Sequence, residues 1–500
     1  MNSNFDIVIA GSGLGGLVCG YILSKNGFKV AIVEKNRQIG GCLQTFSRRG
    51  TKFDTGMHYI GSMEEGQVLY KFFKYLHLLQ DVRLKRLDND GYDIISFNGE
   101  RYKYASGFEH FIDTLSQNFP QNRADITKYI NKIREIANAS PLYKLQRVNT
   151  NSYIEADYIK TSVDEFIESC TRNPLLQNVL TANQPLYAGI RGKTPTYIHA
   201  LINNFYIQSA FRIVGGSDSI ASSLASSMQS FGGQIYTQAE VEEFVCNEER
   251  ITNIRLTNGN ELHAKTFISN IHPQVTMEKI HSKLIRKVYK ERINSLENTI
   301  SNFTVFIKFK EDTTLKYLNS NFYYYEKPDV WACNNYDEKR FPQSYLYMHQ
   351  CENEHNPFAT SAQIIAYMPF SQVNKWANTI LNHRGLDYEA FKQEKASLLL
   401  DLLENEFPGT KAAIDSVYTS SPLTYRDYTA TKEGSMYGIL RDKNFPMQSL
   451  VSQRTKIPNL LLTGQNINSH GILGVIIGSI ITCSELLGME KIMNDIALCN

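Results

Sequence analysis

Three glycines, Gly11, Gly13 and Gly16, stand in the spacing G-x-G-x-x-G, and an acid, Glu34, follows after a helix-length interval. Each residue type suits one task. The first glycine permits a tight turn, the second lets the backbone come close to a pyrophosphate, and the third lets the next helix pack against the turn. Leu14 and Gly15 lie within the motif, where the unpaired N–H groups of a helix start and the positive end of its dipole attract an anion without a basic side chain. A carboxylate at Glu34 accepts hydrogen bonds from both ribose hydroxyls and repels a 2′-phosphate. These residues specify a socket for the ADP half of a dinucleotide. Four others, His58, Tyr59, Tyr437 and His470, are the candidates for proton delivery or substrate orientation, since an imidazole can donate near neutral pH.

The elements that must position this socket are legible around it. Ile7 to Ala10 reads as a strand, Asn26-Gly27 as a helix stop, and Phe28 to Val33 as a second strand. After Glu34 and Lys35 come Gly40-Gly41, then Cys42-Leu43-Gln44-Thr45-Phe46, then Phe53-Asp54-Thr55-Gly56-Met57-His58-Tyr59. In the middle of the chain, Gly215-Gly216-Ser217-Asp218 precedes a helical stretch and the strand-like run from Val241 to Val245. Near the C-terminus, a strand from Asn459 to Thr463 leads through Gly464-Gln465-Asn466-Ile467-Asn468-Ser469-His470-Gly471-Ile472-Leu473-Gly474 into an apolar helix. In this order, the set resembles the FAD-dependent oxidoreductases grouped with phytoene desaturases, carotenoid isomerases, retinol saturases and amine oxidases.

The resemblance implies FAD as cofactor. It implies that Lys35, Gly40, Gly41, Cys42 and Gly56 continue along that cofactor and that the backbone at Val241 pairs with the adenine. Gly464, Gln465, Gly471, Ile472, Leu473 and Gly474 would approach the flavin and ribityl chain, where a helix N-terminus stabilises negative charge on a reduced ring. Many members carry Arg after the paired glycines; Cys42 stands there instead, which is nearer the retinol saturase and carotenoid isomerase branch than the amine oxidases. The implied fold class is α/β, a Rossmann-like, glutathione-reductase-type FAD-binding domain with an inserted α+β substrate domain.

Because nucleotide motifs occur at both ends and in the middle, the cofactor domain is expected to be discontinuous, at residues 1–62, 207–280 and 445–500. Residues 63–206 and 281–444 then build the substrate cavity. The first insert predicts a hairpin over 92–104 and helices over 108–118, 125–137 and 163–170. The second predicts strands over 303–309 and 363–368 and a helix over 388–404. Asn258-Gly259 between apolar alternations predicts a further hairpin.

A formal net charge of +2 with scattered basic residues argues against a nucleic-acid partner. The eight cysteines show no C-x-x-C pair and the histidines no H-x-x-x-H pair, so reduced thiols and no metal site are expected. The first strand begins close to Met1, which leaves no room for a cleavable leader, and no spanning helix is evident. A cytoplasmic location follows, with peripheral contact on the inner face of a membrane kept open by the basic segment Lys279 to Arg292. That segment reads as a helix with Ile280, Leu284, Ile285 and Val288 on one apolar face.

The expected reaction is hydride exchange at flavin N5 with a carbon-carbon double bond of a polyene or isoprenoid lipid, as saturation or desaturation, with an unidentified electron donor or acceptor. A redox-neutral cis-trans isomerase using reduced FAD is the alternative within the same group. An amine oxidase shares the socket but attacks a C–N bond. A prenyl-lipid escort protein of the GDP dissociation inhibitor type is the alternative without chemistry.

Overall fold

β1 (Asn4–Ala10), α1 (Leu14–Lys25) and β2 (Val30–Val33) form the first unit of the fold. In this computed structural model, residues 4–139 and 157–499 are described; parts of the expected ranges 1–62, 63–206 and 445–500 thus lie outside the described residues. Ile7 to Ala10 and all of β2 are buried, the unbroken apolar run that a central parallel strand requires. Around them lies a seven-stranded sheet in the order Gln234–Tyr236, β2, β1, Glu261–Ser269, Ile251–Leu256 and Val241–Cys246, with Leu460–Leu462 paired in parallel on the Glu261–Ser269 strand.

The register of this sheet sets its strand ends level. Ala10 lies opposite both Val33 and Ser269, and Ser269 lies opposite Leu462. Gly11, Glu34, Asn270 and Gly464 therefore emerge just beyond the same carboxyl edge, where open α/β sheets bind their ligands. The meander on the other side turns at Asn258-Gly259, with Gly259 at a φ of +83°.

Helix α1 packs between the helices Asp218–Ser230 and Gly471–Leu487. A Cβ at Gly20 would stand 2.7 Å from Met228 Sδ and 2.9 Å from a methyl group of Ile32, so a side chain there would push those two side chains aside. The Asp54 carboxylate ties the small hairpin Thr45–Arg48 and Thr51–Asp54 to the start of the Asp218–Ser230 helix, accepting from Ser217 N at 2.7 Å and Ser217 Oγ at 2.6 Å.

A second seven-stranded sheet runs Ile414–Ser420, Asn302–Phe309, Ser361–Tyr367, Ser344–His349, Asn321–Tyr325, Asp93–Phe97 and Glu100–Tyr104. Its last two strands join at Asn98-Gly99, both at positive φ, as a tight two-residue hairpin demands. Helices Phe108–Asn118, Arg123–Ala139 and Val163–Cys170 pack on one side of it, and Leu386–Glu406 covers another part. The whole is an α/β fold in which a Rossmann-like sheet, parallel apart from its antiparallel meander, is joined to a second, mixed sheet with helices.

The expected helix over Lys279 to Arg292 is not formed as one piece. Short helices occupy Pro273–Glu278 and Lys287–Asn294, and the stretch between them is not helical: Ile280 makes an isolated bridge beside Phe244, whose N–H donates to Lys279 O at 2.9 Å, and a turn follows in which Ile285 N donates to Ser282 O at 3.3 Å. Ile280 and Ile285 are buried, whereas Val288 is 77% exposed, which breaks up the apolar face. Among the described residues, no helix is long and apolar enough to cross a membrane, and no group of three metal-ligating side chains occurs.

Candidate functional site

Beyond the level strand ends lies a cavity of about 470 Å³. Its walls include Gly11, Gly13, Leu14, Gly15, Glu34, Lys35, Gly40, Gly41, Cys42, Gly56, Val241, Gly464, Gln465, Gly471 and Ile472. Residues from both termini and the middle of the chain thus share one space. The glycines are required by proximity: a Cβ at Gly15 would lie 2.6 Å from Asn270 Oδ1 and 2.9 Å from Gly464 Cα, and one at Gly41 would lie 3.1 Å from Gly13 Cα. Bare backbone facing a long crevice suits the pyrophosphate of a dinucleotide, so the residues present fit FAD. Gly16, Leu473 and Gly474 stand behind the wall. A Cβ on Gly16 would collide with the Gly11 carbonyl, one on Gly474 would meet Ser469 Cβ at 2.7 Å, and Leu473 is buried in the core beside α1.

One end of the cavity is charged. Glu34 Oε2 accepts from Ser12 N at 3.0 Å and Ser12 Oγ at 2.6 Å, and Oε1 accepts from Asn36 N at 2.8 Å. The carboxylate is thereby held in one orientation at the cavity wall. Lys35 Nζ donates to Asp427 O at 2.6 Å, and Lys279 Nζ donates to Val241 O at 2.6 Å. Burial lowers the Lys35 pKa, with Glu240, Glu34 and Asp427 opposing. Tyr428 to Thr431 cross over this end as a strap, with Asn36 Nδ2 donating to Tyr428 O at 2.9 Å.

The opposite end is apolar and neutral. Met57, Met436, Tyr437, Ile472 and Val475 line it together with Cys42. Burial pushes the Cys42 thiol up to about 11, so it stays protonated and behaves as a small packing group. The Tyr437 and His470 rings lie 4.5 Å apart. Tyr437 Oη donates to Pro185 O at 3.1 Å, and His470 Nε2 lies 3.3 Å from Leu186 O. Burial holds the Tyr437 phenol above its ordinary range and lowers His470 to about 4, leaving both neutral at pH 7.

The structure therefore joins Tyr437 to His470 and places Tyr59 elsewhere. Tyr59 Oη lies 3.1 Å from Asp93 Oδ2 and 2.9 Å from Tyr323 Oη, within the core beneath the second sheet. Burial raises Asp93 to about 7, opposed by hydrogen bonds from Asn321 and Tyr59 and by Arg212. Among the described residues, the buried Nδ1 of His58 has no partner, and burial with the Arg212 charge lowers His58 to about 4. Neither His58 nor His470 holds an appreciable imidazolium population at pH 7, so the expectation of donation from imidazole near neutral pH does not fit their surroundings.

Asn270 and Asn466 are among the wall residues that the sequence reading did not single out. Asn270 wedges between Gly13, Gly15 and Gly464 and donates from Nδ2 to Gly11 O at 3.4 Å. Its position directly after an apolar strand that ends level with β1 is the signal that marks it. Asn466 lines the cavity while its Oδ1 accepts from Ile439 N at 2.9 Å; only the fold brings that partner to it.

A model of the family described as flavin containing amine oxidoreductase matches residues 14–485. Among curated proteins, the all-trans-retinol 13,14-reductase of Homo sapiens is 29% identical over 98% of this chain and 87% of its own length. The chloroplastic prolycopene isomerase of Daucus carota is 21% identical over 97% of this chain and 81% of its own. Among solved structures, an oxidoreductase from Methanosarcina mazei superposes with a TM-score of 0.65 at 16% identity, covering 95% of this chain and 99% of the other.

Proposed function

Because this chain belongs to the flavin-containing amine oxidoreductase family and is an FAD-dependent oxidoreductase, we propose that it acts on a carbon-carbon double bond of a polyene or isoprenoid lipid, as a saturase or its reverse. The observation that carries this reading is the neutral, apolar end of the cavity. The acids Glu34, Glu240 and Glu278 that line it stand with Lys35, Lys279 and Val241, and Met57, Met436, Ile472 and Val475 with the Cys42 thiol leave the other end without a carboxylate to pair with an ammonium substrate. The likeness to a retinol reductase along nearly the whole chain supports the same class.

FAD, when bound, supplies reversible hydride exchange. Leu14, Gly15 and the amides of Gly11 and Gly13 would hold its pyrophosphate, Glu34 its ribose and Val241 its adenine. Gly464, Gln465, Gly471 and Ile472 would approach the ring, with Gly16, Leu473 and Gly474 packing that frame. Tyr437 holds the best placed proton, on a phenol that burial keeps neutral, and His470 supports its ring. His58 and Tyr59 would act from behind the wall by fixing the segment that carries Gly56 and Met57. The apolar residues exclude water, which protects a proton transfer matched to an unpolarised double bond. We assign residues 1–62, 207–280 and 445–500 to the cofactor domain and 63–206 and 281–444 to the substrate domain.

Anaerobic photoreduction of the holoenzyme, followed by mixing with retinoid and carotenoid polyenes, tests the reading. Reoxidised flavin together with a product two hydrogens heavier supports saturation. Product of unchanged mass supports the isomerase reading, which the likeness to prolycopene isomerase favours. Turnover of an amine with no response to any polyene overturns both.

A further inference from the structure

Arg441 is only 7% exposed and spends its guanidinium on backbone. Nη2 donates to Asn466 O at 2.8 Å and to Ile467 O at 2.9 Å, and Nη1 donates to Ser449 O. Among the described residues it has no ion-pair partner: Asp442, the nearest acid in sequence, turns its Oδ1 to Asn444 N at 2.8 Å and to Asn444 Nδ2 at 2.9 Å. A buried cation satisfied by neutral carbonyls keeps its field, because carbonyls fill its hydrogen-bonding positions and leave its net charge uncompensated. An arginine also stays charged under conditions in which a buried lysine would release its proton.

The place of this charge gives it a use. The residue whose carbonyl it holds, Asn466, is itself a wall of the cavity, and Gly464 and Gln465 line the same wall. The field of Arg441 reaches His470 as well and helps to keep that imidazole neutral. The adjoining segment is locked in place: Ile439 N donates to Asn466 Oδ1 at 2.9 Å, and a Cβ at Gly438 would run into the Asn466 side chain. The guanidinium is therefore a fixed charge one peptide behind the Asn466 wall of the cavity.

We propose that Arg441 is a positioning residue that sets the reduction potential of the bound flavin, as the counter-charge for the negative charge the ring gains on reduction. A fixed cation in a poorly screened interior favours the reduced, anionic ring over the oxidised, neutral one, and so raises the potential. The proposal rests on FAD being the cofactor and on no lipid substrate, so it stands or falls separately from the polyene reading.

The test is a redox titration of the purified holoenzyme without substrate, for the wild type, Arg441→Gln and Arg441→Lys. Arg441→Gln should weaken binding of reduced FAD relative to oxidised FAD at least tenfold, a fall of about 30 mV for a two-electron couple. Arg441→Lys, titrated at pH 6 so that its buried ammonium keeps its proton, should hold that ratio within about threefold. A merely structural clamp predicts the opposite pattern: less flavin retained by both variants with an unmoved potential. An unchanged potential in Arg441→Gln, or an equal fall in both variants, overturns the proposal. Should Arg441→Gln retain no flavin, the lysine variant decides, and a tenfold change in its ratio refutes the role of charge.

Discussion

Ser12 grips Glu34 twice, with its backbone N–H at 3.0 Å and its hydroxyl at 2.6 Å from the same carboxylate oxygen. The acid at the end of β2 is thus aimed by a residue of the glycine turn at the end of β1. Removing the acid by Glu34→Ala takes away the expected ribose contact and leaves Ser12 Oγ in a buried place. FAD affinity should fall by at least about tenfold, equivalent to about 1.4 kcal/mol. Ser12→Ala should cost less, since Asn36 N still orients the other oxygen. Flavin fluorescence quenching on titration of apoprotein measures both, and an unaltered affinity in Glu34→Ala removes Glu34 from the site.

Gly15 offers a steric test of the meeting of the two chain ends. Its added Cβ would crowd Asn270 Oδ1 and Gly464 Cα, and neither backbone nor wedge can yield without opening the wall. Gly15→Ala should therefore lose most of its bound FAD while remaining folded. Gly27→Ala makes the control: nothing lies within 4 Å of its Cβ, but its φ of +85° disfavours a side chain. It should lower stability by about 1 kcal/mol with full flavin content. The ratio of flavin to protein absorbance separates the two, and equal flavin loss in both would dissolve the argument from proximity.

How much of this could be read from the chain follows from how local each feature is. The socket of Gly11, Gly13, Gly16 and Glu34 lies in one strand-turn-helix-strand unit, so spacing alone placed its elements. Boundaries slipped where neighbours decide: Phe28 and Lys29 precede the strand that begins at Val30, because pairing with β1 starts at Ile7 opposite Val30. The surroundings of Tyr59 were invisible, since Asp93 and Tyr323 reach it only when the parallel pair Asn321 and Asp93 forms in the second sheet. The helix expected over 279–292 failed for the same reason, as a neighbouring strand claimed Ile280. Arg441 gave no signal at all: one basic residue among scattered ones becomes distinctive only when burial and partners are known.

Acid should unfold the protein more steeply than surface ion pairs alone would predict. Burial lowers His58, His272 and His470 to about 4 and His199 and His349 to about 3. Their ordinary value is 6.5, so the unfolded chain binds protons that the folded chain refuses. Stability is present above about pH 6.5 and is lost as pH falls toward 4. Asp93 works the other way: its folded value of about 7 lies above its ordinary 3.8, so its protonated form favours the fold at low pH and that contribution fades as pH rises toward 7. For these five histidines and Asp93 together, the net uptake on unfolding near pH 5 is about four protons. Urea midpoints at pH 5 and pH 7 should differ strongly, with Asp93→Asn steepening the dependence and His199→Gln making it shallower. A flat profile would show that these histidines are reached by water.

Tyr437 is the residue on which the chemistry can be tested most directly. Its phenol stays protonated because it is buried, its Oη is held at Pro185 O, and its ring rests on His470. Tyr437→Phe removes one oxygen and keeps the ring contact, so FAD content should not change. If the phenol holds the proton that reaches the substrate, reoxidation of reduced flavin by a polyene in a single turnover should slow by about 100-fold, within the range of general acid catalysis. His470→Gln keeps a donor toward Leu186 O but loses the ring support, and should slow the same step by about tenfold or less. The neutral state of His470 adds a pH criterion: the wild-type rate should stay level from pH 6 to 8, whereas an imidazolium donor of ordinary pKa would lose rate through that interval. An unslowed single turnover in Tyr437→Phe would take the phenol out of the mechanism and leave proton delivery to water or to a group on the substrate itself.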